Sequence, residues 1–558
     1  MTRSVNNKPI NTFFESHSIC EIQRSFWKTE ILRTFSSYVD ESSFKKWHLC
    51  LYKFATIKPF IFVRWKAIDE ALAFFNQHHG MTLEGIAALQ RELSHAILSL
   101  LRPSASWSKE EKLSLDRPEQ MTEFEGIWHP EYQRYCEHVF NHLIQLPLYV
   151  IGATKRNNYL EQSLANRVVL LQANGLAEIS TGYDSVVRNA ISHGSTSFEL
   201  TSLKYIDKKD TRLLSAREFA TLFDSLVDTC HSILVALLLF LCKQQELVES
   251  TGINKLPLGL RFIFIDAFSA HLGFNLLSAI ESDTIDSRKQ LNIVCRINSK
   301  ARWVQMFEGM HTCWNASNFG GEGYNRFSVS FDCRMPVFSS LFLNGNELQH
   351  AIKSNEVFDK CASKIIETAL LWYDASILEK KMYSWKCIMP VLWQMVKEEF
   401  SKNRRRLGLK VIHSCYKILD TFNGSTETVR KVEAHVILLE RGNVADKLLQ
   451  DIIRHAIRTI RRRRVCKTNL SGEMGRALKP DYVIVRLYVQ ERRIRTLMSY
   501  GWADKELVLI AEWIDPSKKK IQPFYTQEAD AVSGPIRVKY NPGLLETAKF
   551  ENTQTLPN

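Results

Sequence analysis

The sequence predicts a multidomain protein in which all-α parts come first and α+β parts follow. Three observations lead to this prediction: a length of 558 residues, apolar residues at three- and four-residue spacing up to about residue 243, and strand-like apolar runs after about residue 256. A chain of this length exceeds a single hydrophobic core. Its content of 45% hydrophobic and 24% charged residues is ordinary for a globular protein.

Changes in these patterns divide the chain into segments. We expect an N-terminal helical domain at 1–102, a helical bundle at 119–247, an α+β domain at 256–398, a basic α+β domain at 400–540 and a loose tail at 541–558. Residues 103–118 are rich in Ser, Lys and Glu, which favours a linker. No internal repeat is evident in the sequence.

The predicted bundle has a recognisable order of elements. Its helices are expected at about 131–152, at 155–176, at a position ending near Ser192, and at 215–243. Ser215 followed by Glu218 has the pattern of a capping box for the last of these helices. Ser197–Leu200 and Leu203–Ile206 predict a small hairpin just before it.

The two α+β domains contain shorter apolar runs. Strands are predicted at Leu260–Ile265, Leu291–Arg296, Phe327–Asp332, Val432–Leu439, Tyr482–Val489 and Glu506–Trp513. Helices are predicted at His271–Glu281 and at Ala445–Arg463, the second of which is strongly basic.

Cysteine usage and hydropathy favour a cytoplasmic protein. The twelve cysteines are scattered singly, without a Cys-x-x-Cys pair or zinc-finger spacing. The longest apolar run, Ile233–Leu241, covers nine residues, whereas a membrane-spanning helix needs roughly 20. We therefore expect no membrane association.

The positive charge is concentrated in one region. Residues 401–520 contain 27 Lys and Arg against 13 Asp and Glu, and the whole chain has a net charge of +13. Such an excess points to a polyanionic partner, most commonly a nucleic acid.

The segment Arg188–Gly194, with the sequence Arg-Asn-Ala-Ile-Ser-His-Gly, combines two groups suited to phosphodiester chemistry. An imidazole exchanges protons near neutral pH, so His193 suits acid–base work. A guanidinium stays charged and offers a planar set of donors, so Arg188 suits a phosphate. A turn after the helix, at Ser192–Gly194, can bring both groups to one rim.

This Arg-Asn-x3-His-Gly pattern resembles the motif of the HEPN superfamily of ribonucleases. The resemblance covers about residues 130–245 and implies an all-α HEPN-like bundle with a metal-independent RNA endonuclease activity and no cofactor. It implies His193 as acid or base, Arg188 as the phosphate-stabilising group and Asn189 as the residue that orients the His or a phosphate oxygen. Asp184, as a partner of Arg188, with Ser192 and Gly194, would support them.

The family pattern also carries expectations about partners. Because this chain has one good motif, the resemblance implies a homodimer that forms a shared active site on RNA. HEPN effectors inside larger chains resemble this layout and often act in microbial defence or as toxins, with an additional protein or nucleic-acid trigger. The alternative is a non-catalytic nucleic-acid-binding or scaffold protein that uses the bundle for dimerisation.

Other matches to the motif are weaker. Arg430 and His435 have the same spacing but lack the Asn and the Gly, and they run into a predicted strand. If this pair were real, one chain could hold both catalytic halves. Arg406 and His413 match only the loosest spacing.

The basic region contains the expected nucleic-acid-binding residues. They are Arg454, Arg458, Arg461, Arg462, Arg463, Arg464, Arg492, Arg493 and Arg495. Interleaved aromatic residues, which can stack on bases, are Tyr488, Tyr500 and Trp502. A solvated face or a site for an acidic protein is the alternative.

A metal site is not expected from the sequence. His138 and His142 are four residues apart, with Cys136 nearby, but no fourth ligand is apparent. Helix-surface or core histidines are the simpler interpretation.

Overall fold

The computed structural model describes most of residues 8–371 and 416–540, and the longest gaps within these ranges are 102–123, 439–445, 463–478 and 489–506. The chain divides into two compact units, which meet in sequence near residue 396. The predicted linker 103–118 and tail 541–558 lie outside the described residues. The boundaries drawn between the other domains stay predictions.

The first unit opens with helices and contains the motif segment. Its α-helices up to residue 251 are α1 Ile10–Glu15, α2 Ser18–Thr34, α3 Tyr52–Thr56, α4 Trp65–Gln77, α5 His79–Ala88, α6 Gln90–Leu101, α7 His129–Arg134, α8 Asn141–Leu143, α9 Gln145–Lys155, α10 Leu164–Ala173, α11 Ser185–Ser192, α12 Ala216–Lys243 and α13 Gln245–Thr251. Short 3-10 helices occupy Lys46–Leu51 and Glu178–Ser180, and π-helical segments occupy Phe124–Trp128 and Tyr135–Phe140.

Helix α12 is the buried centre of this helical body. Ser215 Oγ accepts a hydrogen bond from Glu218 N at 3.2 Å, and Glu218 Oε2 accepts one from Ser215 N at 2.7 Å, which confirms the predicted capping box. Among the described helices, the part Thr221–Lys243 is long and apolar enough to cross a membrane, but its apolar stretch is entirely buried inside the protein. It therefore has the character of a core helix.

One predicted helix of the bundle starts later than expected. Helix α9 ends where Arg156 adopts a left-handed conformation with φ 53°. Residues 157–163 are not helical, and Ser163 Oγ caps α10 by accepting from Asn166 N. The prediction of a continuous helix over 155–176 is thus wrong, because a left-handed residue ends one helix and a new cap is needed to begin the next.

Three antiparallel strands follow the motif segment. They are β1 Thr196–Glu199, β2 Ser202–Asp207 and β3 Asp210–Ser215, in the order β1-β2-β3. The predicted hairpin is confirmed. The third strand was missed because its side chains are mostly exposed and carry no alternating apolar pattern.

The rest of the first unit is an α+β sheet. Its elements are α14 Leu258–Ser269, β4 Phe274–Asp283, β5 Lys289–Ile297, α15 Arg302–Gly320, β6 Arg326–Asp332, β7 Ser339–Asn344, α16 Gly345–Ser354, α17 Phe358–Ile365 and β8 Ile366–Leu370. The strand order is β4-β5-β6-β7-β8, parallel only between β5 and β6. Ile10 and Phe14 of α1 belong to the same hydrophobic core as Leu291 and Val329 of this sheet.

Two elements in this region are of the opposite type from the predicted one. Leu260–Ile265 is not a strand but part of α14, in which every residue is buried. A segment that is apolar on all sides has no alternation of apolar and polar residues, so a strand and a buried helix look alike in sequence. His271–Glu281 is not a helix, because β4 occupies most of it. The strands at Leu291–Arg296 and Phe327–Asp332 are confirmed.

The second unit also contains a sheet, and its topology partly repeats that of the α+β sheet in the first unit. Its elements are β9 Tyr416–Asn423, β10 Lys431–Leu438, α18 Asp446–Ile460, β11 Tyr482–Tyr488, β12 Leu507–Ile514, β13 Ala531–Ser533 and β14 Ile536–Tyr540. The order β13-β14-β12-β11-β10-β9 has one parallel pair, β10 with β11, joined by α18. In the first unit α15 joins the parallel pair β5 and β6 in the same way. The two sheets thus repeat one ββαββ topology that the sequence does not reveal, and the predicted strands and helix of this unit are confirmed.

Candidate active site

Helix α11, the motif helix, begins at a side-chain cap. Asp184 Oδ1 accepts hydrogen bonds from Val186 N at 2.9 Å and Val187 N at 3.1 Å. Its second oxygen accepts from Arg212 Nε on β3 at 2.8 Å. Asp184 therefore starts the helix and ties it to the small sheet, and the expectation that it pairs with Arg188 is wrong.

The motif helix ends in a glycine turn. Gly194 has φ +65°, its N–H donates to Ile191 O at 3.3 Å, and Ser195 N donates to Ala190 O at 2.8 Å. This is the pattern of a Schellman cap, which favours glycine because a left-handed residue ends the helix. The glycine of the motif therefore has a structural role. It follows His193, which is the C-cap residue directly after the helix.

The guanidinium of Arg188 is held on two sides. It forms an ion pair with Glu137 of the π-helical segment Tyr135–Phe140, through both Nε and Nη2. Its Nη1 donates to Asn189 Oδ1 at 2.7 Å, and Asn189 Nδ2 donates to Asp207 Oδ2 of β2 at 2.7 Å. In this structure Asn189 therefore orients Arg188 rather than His193.

The imidazole of His193 is accessible. The residue is exposed, and within the part of the chain that the structure describes its side chain makes no hydrogen bond or ion pair. The adjacent Ser192 is also exposed, and its Oγ accepts from Gln133 Nε2 at 3.1 Å. Burial against backbone, which would rule out acid–base work, is not found for His193.

The motif helix therefore carries two polar sites, Arg188 with its partners in its first half and His193 at its C-terminal end. The two sites contain an accessible imidazole, a guanidinium that is 27% exposed and a carboxylate paired with that guanidinium. Such a set can transfer a proton and stabilise an anion without a metal.

Comparison with known proteins supplies no family and no function for this chain. Comparisons with models of protein families, with curated proteins and with solved structures find no match to this chain. The functional assignment therefore depends on the residues themselves.

Two structural partners of the motif were not found from the sequence. Tyr132 Oη accepts from Asp184 N at 3.1 Å and lies 3.4 Å from Gly182 O, so a buried tyrosine of α7 fixes the loop before the motif helix. Glu137 contacts Arg188 from 51 positions away along the chain. Neither contact leaves a local pattern, since both arise only when α7 and the following π-helical segment pack on the motif helix.

The second unit presents part of the predicted basic surface. Arg458, Arg461 and Arg462 are exposed. Arg454 is occupied by Asp451 at 3.2 Å and Ser533 at 3.1 Å, and the guanidinium carbon of Arg461 lies 3.8 Å from the centroid of the buried Trp513 ring. The remaining predicted residues lie outside the described part of the chain: Arg463, Arg464, Arg492, Arg493 and Arg495.

Two further expectations for this unit concern buried residues. Tyr488 is 4% exposed and packs edge-on against His435, so its expected role in base stacking is wrong. His435 is itself 4% exposed, and Arg430 lies 3.7 Å from Asp481. The pair Arg430 and His435 therefore forms no open site in this fold. Arg406, His413, Tyr500 and Trp502 lie outside the described residues.

Proposed function

We propose that the chain is a HEPN-type RNA endonuclease whose active site consists of Arg188, Asn189 and His193. The observation that carries this proposal is the accessible His193 at the end of the motif helix, one turn beyond an Arg188 that Asn189 and Glu137 hold in place. An exposed imidazole five residues after a positioned guanidinium suits phosphodiester chemistry better than a purely structural helix end.

The chemistry needs no cofactor. The 2′-oxygen of a ribose attacks the adjacent phosphorus, the bond from phosphorus to the 5′-oxygen breaks, and the products end in a 2′,3′-cyclic phosphate and a 5′-hydroxyl. One proton leaves the 2′-hydroxyl and one reaches the departing 5′-oxygen. His193 serves one of these transfers. Arg188 stabilises the negative charge that builds on the phosphate oxygens.

A second copy of the chain supplies the other proton transfer. A symmetric dimer brings two identical surfaces together, and two motif helices facing each other provide a base and an acid. We therefore propose a homodimer with a shared active site on RNA, in a cytoplasmic protein. We further propose that the protein acts in defence or as a toxin, and that an additional trigger activates it.

The decisive experiment compares RNA cleavage by the full-length protein with cleavage by His193→Ala. We expect the wild-type protein to leave cyclic phosphate ends and His193→Ala to lose at least about 100-fold in rate, the usual minimum for general acid–base catalysis. His79→Ala is the matched control, because His79 is also exposed in the same unit. Equal cleavage by wild type and His193→Ala would contradict the proposal.

One observation favours a second candidate function. In this structure Glu137 already neutralises Arg188. A non-catalytic RNA-binding or scaffold protein would not need that guanidinium to stabilise a phosphate. Such a protein would bind RNA and dimerise without producing cyclic phosphate ends, so the same assay separates the two functions.

A further inference from the structure

Three histidines converge on the outside of the helical body, away from the motif residues in sequence. They are His95 of α6, His138 of the π-helical segment Tyr135–Phe140, and His142 of α8. One ring nitrogen from each lies within 4.8 Å of the other two. His95 is 43 positions away from His138, so no spacing in the sequence indicates this third member.

One distance in this cluster matches a metal site better than a hydrogen bond. His95 Nε2 lies 3.4 Å from His138 Nδ1, which is long for a hydrogen bond between two nitrogens. Two nitrogens bound to one tetrahedral zinc at about 2.0–2.1 Å are roughly 3.3 Å apart. The ring of His95 meets the rings of His138 and His142 at 61° and 74°, so the three rings approach edge-on rather than stacked.

The amide of Gln145 lies beside one ligand, with its nitrogen 3.2 Å from His142 Nδ1. With the amide rotated by half a turn, its oxygen would accept from Nδ1–H and leave Nε2 of His142 for the metal.

We propose that His95, His138 and His142 bind one divalent transition-metal ion of the zinc class. Imidazole suits zinc, copper and nickel, and three histidines leave a fourth position open to water or to a carboxylate. Glu92 lies one helical turn before His95 on α6 and is a candidate for that position. Cys136, which also lies close in sequence, is fully buried and is not among the side chains that converge here.

The bound ion joins two parts of the first unit. His95 precedes the stretch 102–123 and His138 follows it, so the metal connects α6 to the segment that carries Glu137. The proposed role of this site is to stabilise the fold rather than to cleave RNA.

The test is a calorimetric titration of full-length, metal-free protein without an affinity tag, using Zn²⁺ as the probe. We expect one site in the wild-type protein, and a loss of affinity in His95→Gln of more than about tenfold, the smallest change expected even for an outer-shell partner. His79→Gln is the control and should bind Zn²⁺ like the wild type, since His79 is exposed and is not part of the three-histidine cluster.

Two further measurements keep the result decisive. If circular dichroism finds His95→Gln unfolded, His138→Gln provides the comparison, because His138 is exposed. Co²⁺ bound to the wild-type protein should give the visible absorption of a four- or five-coordinate site, and that absorption should weaken as pH falls because protons compete for imidazole. Identical titrations for the wild type and the two histidine variants, or no binding by the wild type, would overturn the proposal.

Discussion

Arg188 of the motif helix and Glu137 of the π-helical segment form an ion pair in which the side chains are 27% and 26% exposed. The pair joins two segments 51 positions apart in sequence. It also occupies the guanidinium edge that a phosphate would use. Under the proposed function, Glu137 therefore competes with RNA for Arg188.

Removing the charge of Glu137 should strengthen RNA binding. A partly exposed ion pair is worth about 1 kcal/mol, which corresponds to a factor of roughly five in affinity. We expect Glu137→Gln, in a His193→Ala background that does not cleave, to bind single-stranded RNA several-fold more tightly by fluorescence anisotropy. Glu131→Gln is the control, since Glu131 pairs with Arg134 instead. Weaker binding by Glu137→Gln would mean that Glu137 positions Arg188.

Asn189 provides a second test of how Arg188 is positioned. Asn189→Ala leaves Arg188 Nη1 and Asp207 without their shared partner. Hydrogen bonds to charged groups are worth about 1.5–3 kcal/mol, so cleavage should slow by roughly 10- to 100-fold. Asp207→Asn retains an acceptor for Asn189 and should keep most of the activity. Comparable losses in both variants would indicate that the negative charge of Asp207 matters, not the orientation of Arg188.

Glycine substitutions should separate backbone strain from backbone collision. Gly182, two residues before the cap of the motif helix, has φ +92°, and a Cβ there would lie 2.2 Å from Leu226 N. Gly175 has φ +78° with open space around it. We expect Gly175→Ala to cost about 1 kcal/mol, as for one residue in a left-handed conformation, and Gly182→Ala to cost several times more. Thermal unfolding compares them, and equal midpoints would contradict the role of Leu226.

Local signals in the sequence predicted much of this structure. Ser215 and Glu218 announced the start of α12 because a capping box lies within four residues. The motif Arg188–Gly194 was visible for the same reason, and its glycine fits the helix end that the structure contains.

The rest depends on contacts between distant residues. The fully buried helix Leu258–Ser269 has no polar face, so its pattern could not distinguish helix from strand. Glu137 and His95 reach their partners only through packing of separate helices. The repeated ββαββ topology is a property of strand order, and strand order leaves no periodic trace in sequence.

Acid should weaken the packing behind the motif helix through His129. Burial lowers its pKa from an ordinary 6.5 to about 4, and its Nε2 lies 3.0 Å from Tyr205 Oη. The folded state thus resists protonation more than the unfolded state. The contribution of His129 is complete above about pH 6.5 and is lost as pH falls toward 4, by about 3 kcal/mol at most.

The variant His129→Gln keeps a hydrogen-bonding group for Tyr205 but does not titrate. We expect the wild-type unfolding midpoint to fall more steeply between pH 6.5 and 4.5 than that of His129→Gln, measured by circular dichroism. Parallel pH profiles would show that His129 does not contribute to acid sensitivity.

Among the described arginines of the proposed RNA-binding surface, Arg458 and Arg462 are exposed and are not engaged by the contacts that hold Arg454 and Arg461. Arg454 is engaged by Asp451 and Ser533, and Arg461 packs on Trp513. We expect the double variant Arg458→Ala with Arg462→Ala to weaken RNA binding at low salt. The slope of the logarithm of affinity against the logarithm of salt should fall by about 0.7 for each phosphate of a single strand that the variant no longer neutralises.

The matched control removes two exposed charges from the first unit, Lys66→Ala with Arg91→Ala. It changes the net charge of the protein equally, so any difference between the two double variants depends on where the charges lie rather than on their total. If both variants shift the salt dependence alike, RNA responds to the overall field of the protein. If only the removal of Arg458 and Arg462 lowers the slope, those two side chains bind phosphates, because the number of counterions released follows the number of phosphates neutralised.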